Sequence, residues 1–162
     1  MKGYLLDTNM IGHYFASHPN VMAHVGALDE DDVLSVSAVA LGEIAFGHEM
    51  TQSTDHHRRE EFERFINNEF PMAIPVDRHT RVHYGDLKAR IFREYPPASS
   101  RENHPERCVD RVTGAELGID ENDLWMAAQA VQHNLILVTN DEMARISAVA
   151  PELDMEDWTE PV

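Results

Sequence analysis

Four acidic residues, Asp7, Glu43, Asp123 and Asp141, occupy positions from which carboxylates can hold a divalent cation. Asp7 closes the apolar run Tyr4-Leu5-Leu6, and Asp141 lies just past the apolar run at 135–139. In open parallel sheets, sites form beyond the carboxyl ends of strands, beside the helices that follow. Each of these two aspartates could instead cap its helix, which is the commoner role for one taken alone. Asp123 precedes a stripe of Leu124, Ala127, Ala128 and Val131. Asp120 suits the cap of that helix, with Asp123 reaching back in a variant of the capping box. Asp123, four residues before Ala127, borders the core-facing side. Asp120 is its rival for a place in the site.

Glu43 carries the most information. Its segment, Ala38-Val39-Ala40-Leu41-Gly42-Glu43-Ile44-Ala45-Phe46, is apolar almost all round, and Val39, Phe46 and Met50 share its helical face. A carboxylate in such surroundings costs several kcal/mol, roughly, unless it is paired or binds a metal. No Lys or Arg lies within a helical turn or two, which leaves a distant arginine or a metal ion. Four carboxylates in one place also need a cation. Two unit charges at ~4 Å repel by about 4 kcal/mol at an effective dielectric of ~20. The empty cluster should therefore hold raised pKa values and release protons on binding metal. Oxygen-only donors favour Mg2+ or Mn2+ over zinc, and such an ion can activate water against a phosphate ester.

The elements that must position these acids follow from pattern and punctuation. Strands are expected at 4–6, 33–36, 72–76 and 135–139, with a short one in the tail. The third of these sits at an edge because of Pro75. Helices are expected at 8–17, 19–28 and 38–50, and around Phe62, Phe65 and Ile66. Three more follow: one from Asp77 to before Pro96-Pro97, one at 121–133, and one beginning near Asn140 and Asp141 and ending at Pro151. Residues 51–57 read as a polar, His-rich connection, and 96–119 as an unusually long loop. Alternating elements with fully apolar strands imply one α/β domain over residues 1–162, with a mostly parallel sheet covered on both faces.

The chain's 162 residues can bury roughly 70% of the unfolded surface. One cysteine, Cys108, excludes an internal disulfide. No apolar run reaches the roughly 18 residues of a membrane span, and the first residues do not form a signal peptide. A cytoplasmic setting is expected. The net charge of −16 opposes nucleic acid at long range. Residues 78–111 differ, with eight basic and five acidic side chains. They read either as a landing surface, with Lys88, Arg90 and Arg93 as contacts, or as a solvated helix face.

Four segments, in this order, resemble one family: Leu5-Leu6-Asp7-Thr8-Asn9, Gly42-Glu43-Ile44-Ala45-Phe46-Gly47, Glu121-Asn122-Asp123-Leu124-Trp125-Met126-Ala127-Ala128 and Leu137-Val138-Thr139-Asn140-Asp141. They are similar to PIN domains, and within those to the VapC-type toxins of bacterial toxin–antitoxin pairs. The resemblance implies a three-layer α/β/α fold with a central sheet of four or five strands. It implies Mg2+- or Mn2+-dependent endoribonuclease activity, with Asp7, Glu43 and Asp123 as the central metal ligands and Asp141 as a fourth. Asn9 would orient Asp7 or contact the site, and Thr139 would hydrogen-bond a site carboxylate. An RNA substrate, a homodimer and a cognate VapB-type antitoxin are also implied, with DNA engaged only through the antitoxin. The long loop at 96–119 departs from the family pattern.

Other motifs carry less. His79 and His83 have the spacing of two zinc ligands on a helix, but Thr80 stands where a zinc protease needs glutamate. His56 and His57 read as exposed loop residues, and Cys108 as a thiol without catalytic company. Trp125, Phe46, Phe62 and Phe65 occupy core-like positions. An aspartate-nucleophile phosphatase would need a second aspartate where Asn9 stands. A non-catalytic module binding RNA or a protein is the remaining alternative.

Overall fold

The computed structural model describes residues 1–50 and 56–162. Four parallel strands lie in the order β2-β1-β3-β4: β1 (Gly3–Leu6), β2 (Val33–Val36), β3 (Ile136–Val138) and β4 (Met155–Glu156). The helices are α1 (Thr8–Phe15), α2 (Pro19–Gly26), α3 (Ala38–Met50), α4 (His56–Glu69), α5 (Thr80–Glu94), α6 (Glu121–His133) and α7 (Ala144–Val149). They flank the sheet to give three layers. Leu5, Leu6, Val36, Leu137 and Val138 are wholly buried, as strands covered on both faces require. The chain leaves β1 towards β2 on one side, while β3 takes the other. The carboxyl end of β1 is therefore a switch point, where such sheets open a crevice.

The expected edge strand at 72–76 contributes a single bridge, Ser37 to Ile74. Pro75 has no N–H with which to continue the ladder. Backbone bonds from the Ile74 amide to Val36 O and from the Ala38 amide to Ile74 O hold this edge together with side chains. Gln129, wholly buried, donates to the carbonyls of Ile74 and Pro75 and accepts from the Ser37 hydroxyl. The Thr80 hydroxyl donates to Gln132, which in turn donates to Asp77.

Several expectations need correction. The last helix starts at Ala144 rather than near Asp141, because Met143 turns the chain with a left-handed φ of 38°. Part of the connection at 51–57 lies outside the described residues, and His56 and His57 open α4. The loop at 96–119 carries a 3-10 turn (Pro105–Arg107) and the bridges Pro97 to Cys108 and Val109 to Glu116. Cys108 is wholly buried there, and burial raises its thiol pKa, so it has the character of core packing. Phe62 is buried and Phe65 packs on the core with it, edge-on to Phe15 and Tyr14 respectively. Phe46 is 66% exposed and Met50 65%. The apolar circumference of α3 thus belongs partly to the surface, which periodicity alone cannot distinguish from core.

Candidate active site

Asp7 is buried at the end of β1, where its amide still donates to Val138 O. It is also the N-cap of α1. Its Oδ1 accepts from the Met10 amide at 2.6 Å, and the Asn9 amide and Thr139 side chain add hydrogen bonds. The two sequence readings of Asp7 are compatible, because a carboxylate has acceptor sites beyond those the cap uses. Its pKa is nonetheless raised. Burial outweighs the hydrogen bonds, and Asp141 adds repulsion.

Glu43 reaches in from the second turn of α3. Its Oε2 accepts from the Thr8 hydroxyl at 2.5 Å and its Oε1 from Asn122 Nδ2 at 3.0 Å. Both partners are neutral and neither is the distant arginine considered above. Each oxygen is oriented and keeps a lone pair for a cation. In the sequence Thr8 and Asn122 are polar residues at the starts of their helices, each beside an aspartate, and nothing local ties either to Glu43. That they grip Glu43 across 35 and 79 positions is set by tertiary packing.

Asp123 lies in the first turn of α6, which Asp120 caps by accepting from the Asn122 amide at 2.7 Å. Its pKa rises from 3.8 to about 7. Burial is the largest cause, followed by repulsion from Asp120, Asp141, Glu43 and Asp7. The four predicted acids therefore converge on one another electrostatically, with Asp120, the rival, at the exposed rim. Asp141 is exposed, its carboxylate accepting from Asn9 Nδ2 at 3.2 Å and its amide donating to the Thr139 hydroxyl. Asn9 and Thr139 thus both touch the cluster.

Of the basic residues expected as contacts, Lys88 and Arg90 hold intramolecular partners, whereas the Arg93 side chain is exposed. Lys88 pairs with Glu121 at 2.6 Å and donates to Tyr84, whose ring stacks on Trp125. Arg90 ties Asp86 to Glu152 and the Val149 carbonyl. Arg93 is exposed, and its carbonyl accepts from Arg111.

The donor set suits a hard divalent ion, being all oxygen, partly desolvated and short of positive charge. Among the described residues no group of three or more His, Cys, Asp or Glu side chains stands close enough together to hold a metal ion as placed.

Residues 4–150 match the family described as PIN domain, and the chain belongs to that family. Its curated relatives include Ribonuclease VapC1 of Haemophilus influenzae strain R2866, 26% identical over 96% of this chain and 98% of the relative. Ribonuclease VapC2 of Rickettsia felis is 23% identical over 96% and 97%. Among solved structures, VapBC2 from Rickettsia felis bound to a DNA fragment from their promoter superposes with a TM-score of 0.70 at 22% identity, covering 96% of this chain and 98% of the other.

Proposed function

We propose that this chain is a divalent-metal-dependent endoribonuclease, the toxin of a toxin–antitoxin pair, acting in the cytoplasm. The observation that carries the reading is the convergence of Asp7, Glu43, Asp123 and Asp141 at the sheet's switch point, with Asp123 pushed up to about 7. Matches across nearly full length to proteins named ribonucleases supply the substrate class. Structures described as VapBC complexes supply the antitoxin partner. The exposed Phe46 and Met50 of α3 are apolar surface that an antitoxin segment could cover.

In this reading the four acids would hold Mg2+ or Mn2+. Such an ion supplies, when bound, Lewis acidity towards a phosphodiester and its attacking water. The chain's own residues prepare the site. Thr8 and Asn122 aim Glu43, the Met10 amide and Thr139 fix Asp7, and Asn9 steadies Asp141. Asp123 would have to be deprotonated to hold the ion, so metal affinity would fall below neutral pH.

The test is cleavage of a single-stranded RNA by purified protein with Mg2+, with Mn2+ and with EDTA. Activity is expected only with the metals. Asp7→Asn is expected to abolish it without unfolding, since asparagine caps a helix about as well as aspartate. Undiminished cleavage in EDTA would refute the metal, and RNA binding without cleavage under any metal would leave a binding module.

A further inference from the structure

We propose that Arg145 is a substrate-binding residue that holds an RNA phosphate beside the scissile one; this rests on the ribonuclease reading above. A cleft of about 180 Å³ is lined by Asp123 and Asp141 of the acidic cluster together with Gly118, Asp120, Met143 and Arg145. It is smaller than the roughly 300–1,000 Å³ of pockets that engulf a whole small ligand, and suits part of a chain laid across it. Arg145 is the one basic side chain in that lining among the described residues.

Its present contacts are loose. The Asp110 carboxylate stands 3.8 Å from the guanidinium, and the Tyr95 ring centroid lies 5.3 Å away, with 46% of the side chain exposed. Arg90, by contrast, makes two contacts at 2.5 and 2.8 Å. Asp110 is also committed elsewhere. Its Oδ1 accepts from the Val112 and Thr113 amides and the Thr113 hydroxyl, and only Oδ2 faces Arg145. A guanidinium forks naturally onto phosphate, and a polyanion bound beside four or five carboxylates needs such a cation. Met143 adds an independent sign. A non-glycine residue at φ 38° is strained, and strain of this kind is retained where geometry matters. It lies between Asp141 and Arg145, and all three border the same cleft.

The measurement is steady-state cleavage of a single-stranded RNA oligonucleotide with Mg2+ over a series of NaCl concentrations. Wild type is compared with Arg145→Gln, Arg145→Lys and Asp110→Asn. For Arg145→Gln, KM is expected to rise on the order of 10-fold, with the change in KM rather than kcat. The slope of log affinity against log salt should fall by about 0.7, one phosphate contact to a single strand. Arg145→Lys keeps the slope and recovers part of the affinity. Asp110→Asn retains the turn through its Oδ1 and frees Arg145, so KM falls. A structural ion pair would instead make both partners' variants lose thermal stability with KM unmoved, or move KM in the same direction. Either result overturns the proposal. Wild-type protein that cleaves while Arg145→Gln matches it sinks this inference alone; wild-type protein that never cleaves RNA sinks the ribonuclease reading and this with it.

Discussion

Asp123→Asn should make the metal-free protein more stable at alkaline pH while removing its response to Mg2+. Native Asp123 keeps its proton up to about pH 7, whereas an unfolded aspartate releases its own near 3.9. Between roughly pH 4 and 7 the native state therefore binds more protons than the unfolded state, and stability falls as pH rises through that window. The penalty is absent below the unfolded value and complete above the folded one. A rise from 3.8 to about 7 corresponds to at most about 4 kcal/mol at 1.36 kcal/mol per unit. Asp123 is only partly buried, so solvent screens the interaction and ~2 kcal/mol is the expected size. Asp7, also raised by burial, adds a penalty of the same sign.

Urea unfolding followed by circular dichroism, in EDTA at pH 5.5 and pH 8, reads this directly. Wild type should lose stability between the two conditions, and Asp123→Asn should lose less, ending about 2 kcal/mol above wild type at pH 8. With Mg2+ at 100 times its dissociation constant, wild type should regain ~2.7 kcal/mol and the variant little. A wild-type curve flat between pH 5.5 and 8, or a variant less stable than wild type at pH 8, would refute the electrostatic account of the cluster.

Two further predictions separate support of the site from support of the fold. Asn122→Ala frees one oxygen of Glu43, and the Mg2+ concentration for half-maximal cleavage should rise about 10- to 100-fold, as for other outer-shell partners of ligands; an unchanged metal titration would show that Thr8 alone positions Glu43. Gln129→Leu leaves the Ser37 hydroxyl and the Pro75 carbonyl without this partner, and should cost ~2 kcal/mol in urea unfolding with metal affinity unaltered.

Strands β1, β2 and β3 and the places of the acids along the chain's elements were legible because they depend on local chemistry, whereas the strand expected at 72–76 is reduced to one bridge. Leu5-Leu6 and Leu137-Val138 can hardly be anything but central strands, and an aspartate after each falls at the sheet's crevice. What could not be read was whatever depends on distant packing. Glu43 was expected to need a metal or a remote arginine. The structure supplies neutral donors from Thr8 and Asn122, and nothing about a threonine or asparagine at a helix start distinguishes a cap from a clamp. The start of α7 was misplaced because Asn140 and Asp141 are good helix starters, whereas the turn that delays it relies on Met143, a residue that rarely adopts a left-handed backbone. Phe46 and Met50 follow a core-like spacing but face outward.

The basic stretch at 78–111 is partly occupied by intramolecular contacts. Three of its eight basic side chains are paired with carboxylates, Lys88 with Glu121, Arg90 with Asp86 and Glu152, and Arg107 with Glu116, and Arg111 donates to the Arg93 carbonyl. A chain of net charge −16 cannot then draw RNA by its general field. Attraction has to be local and close to the acids. A divalent ion would put positive charge at the centre of the cluster and offset part of the carboxylates' charge, and a loosely held guanidinium such as that of Arg145 would add a further positive group along the cleft. Association should for that reason depend on occupancy of the acidic site before it depends on the protein's overall charge.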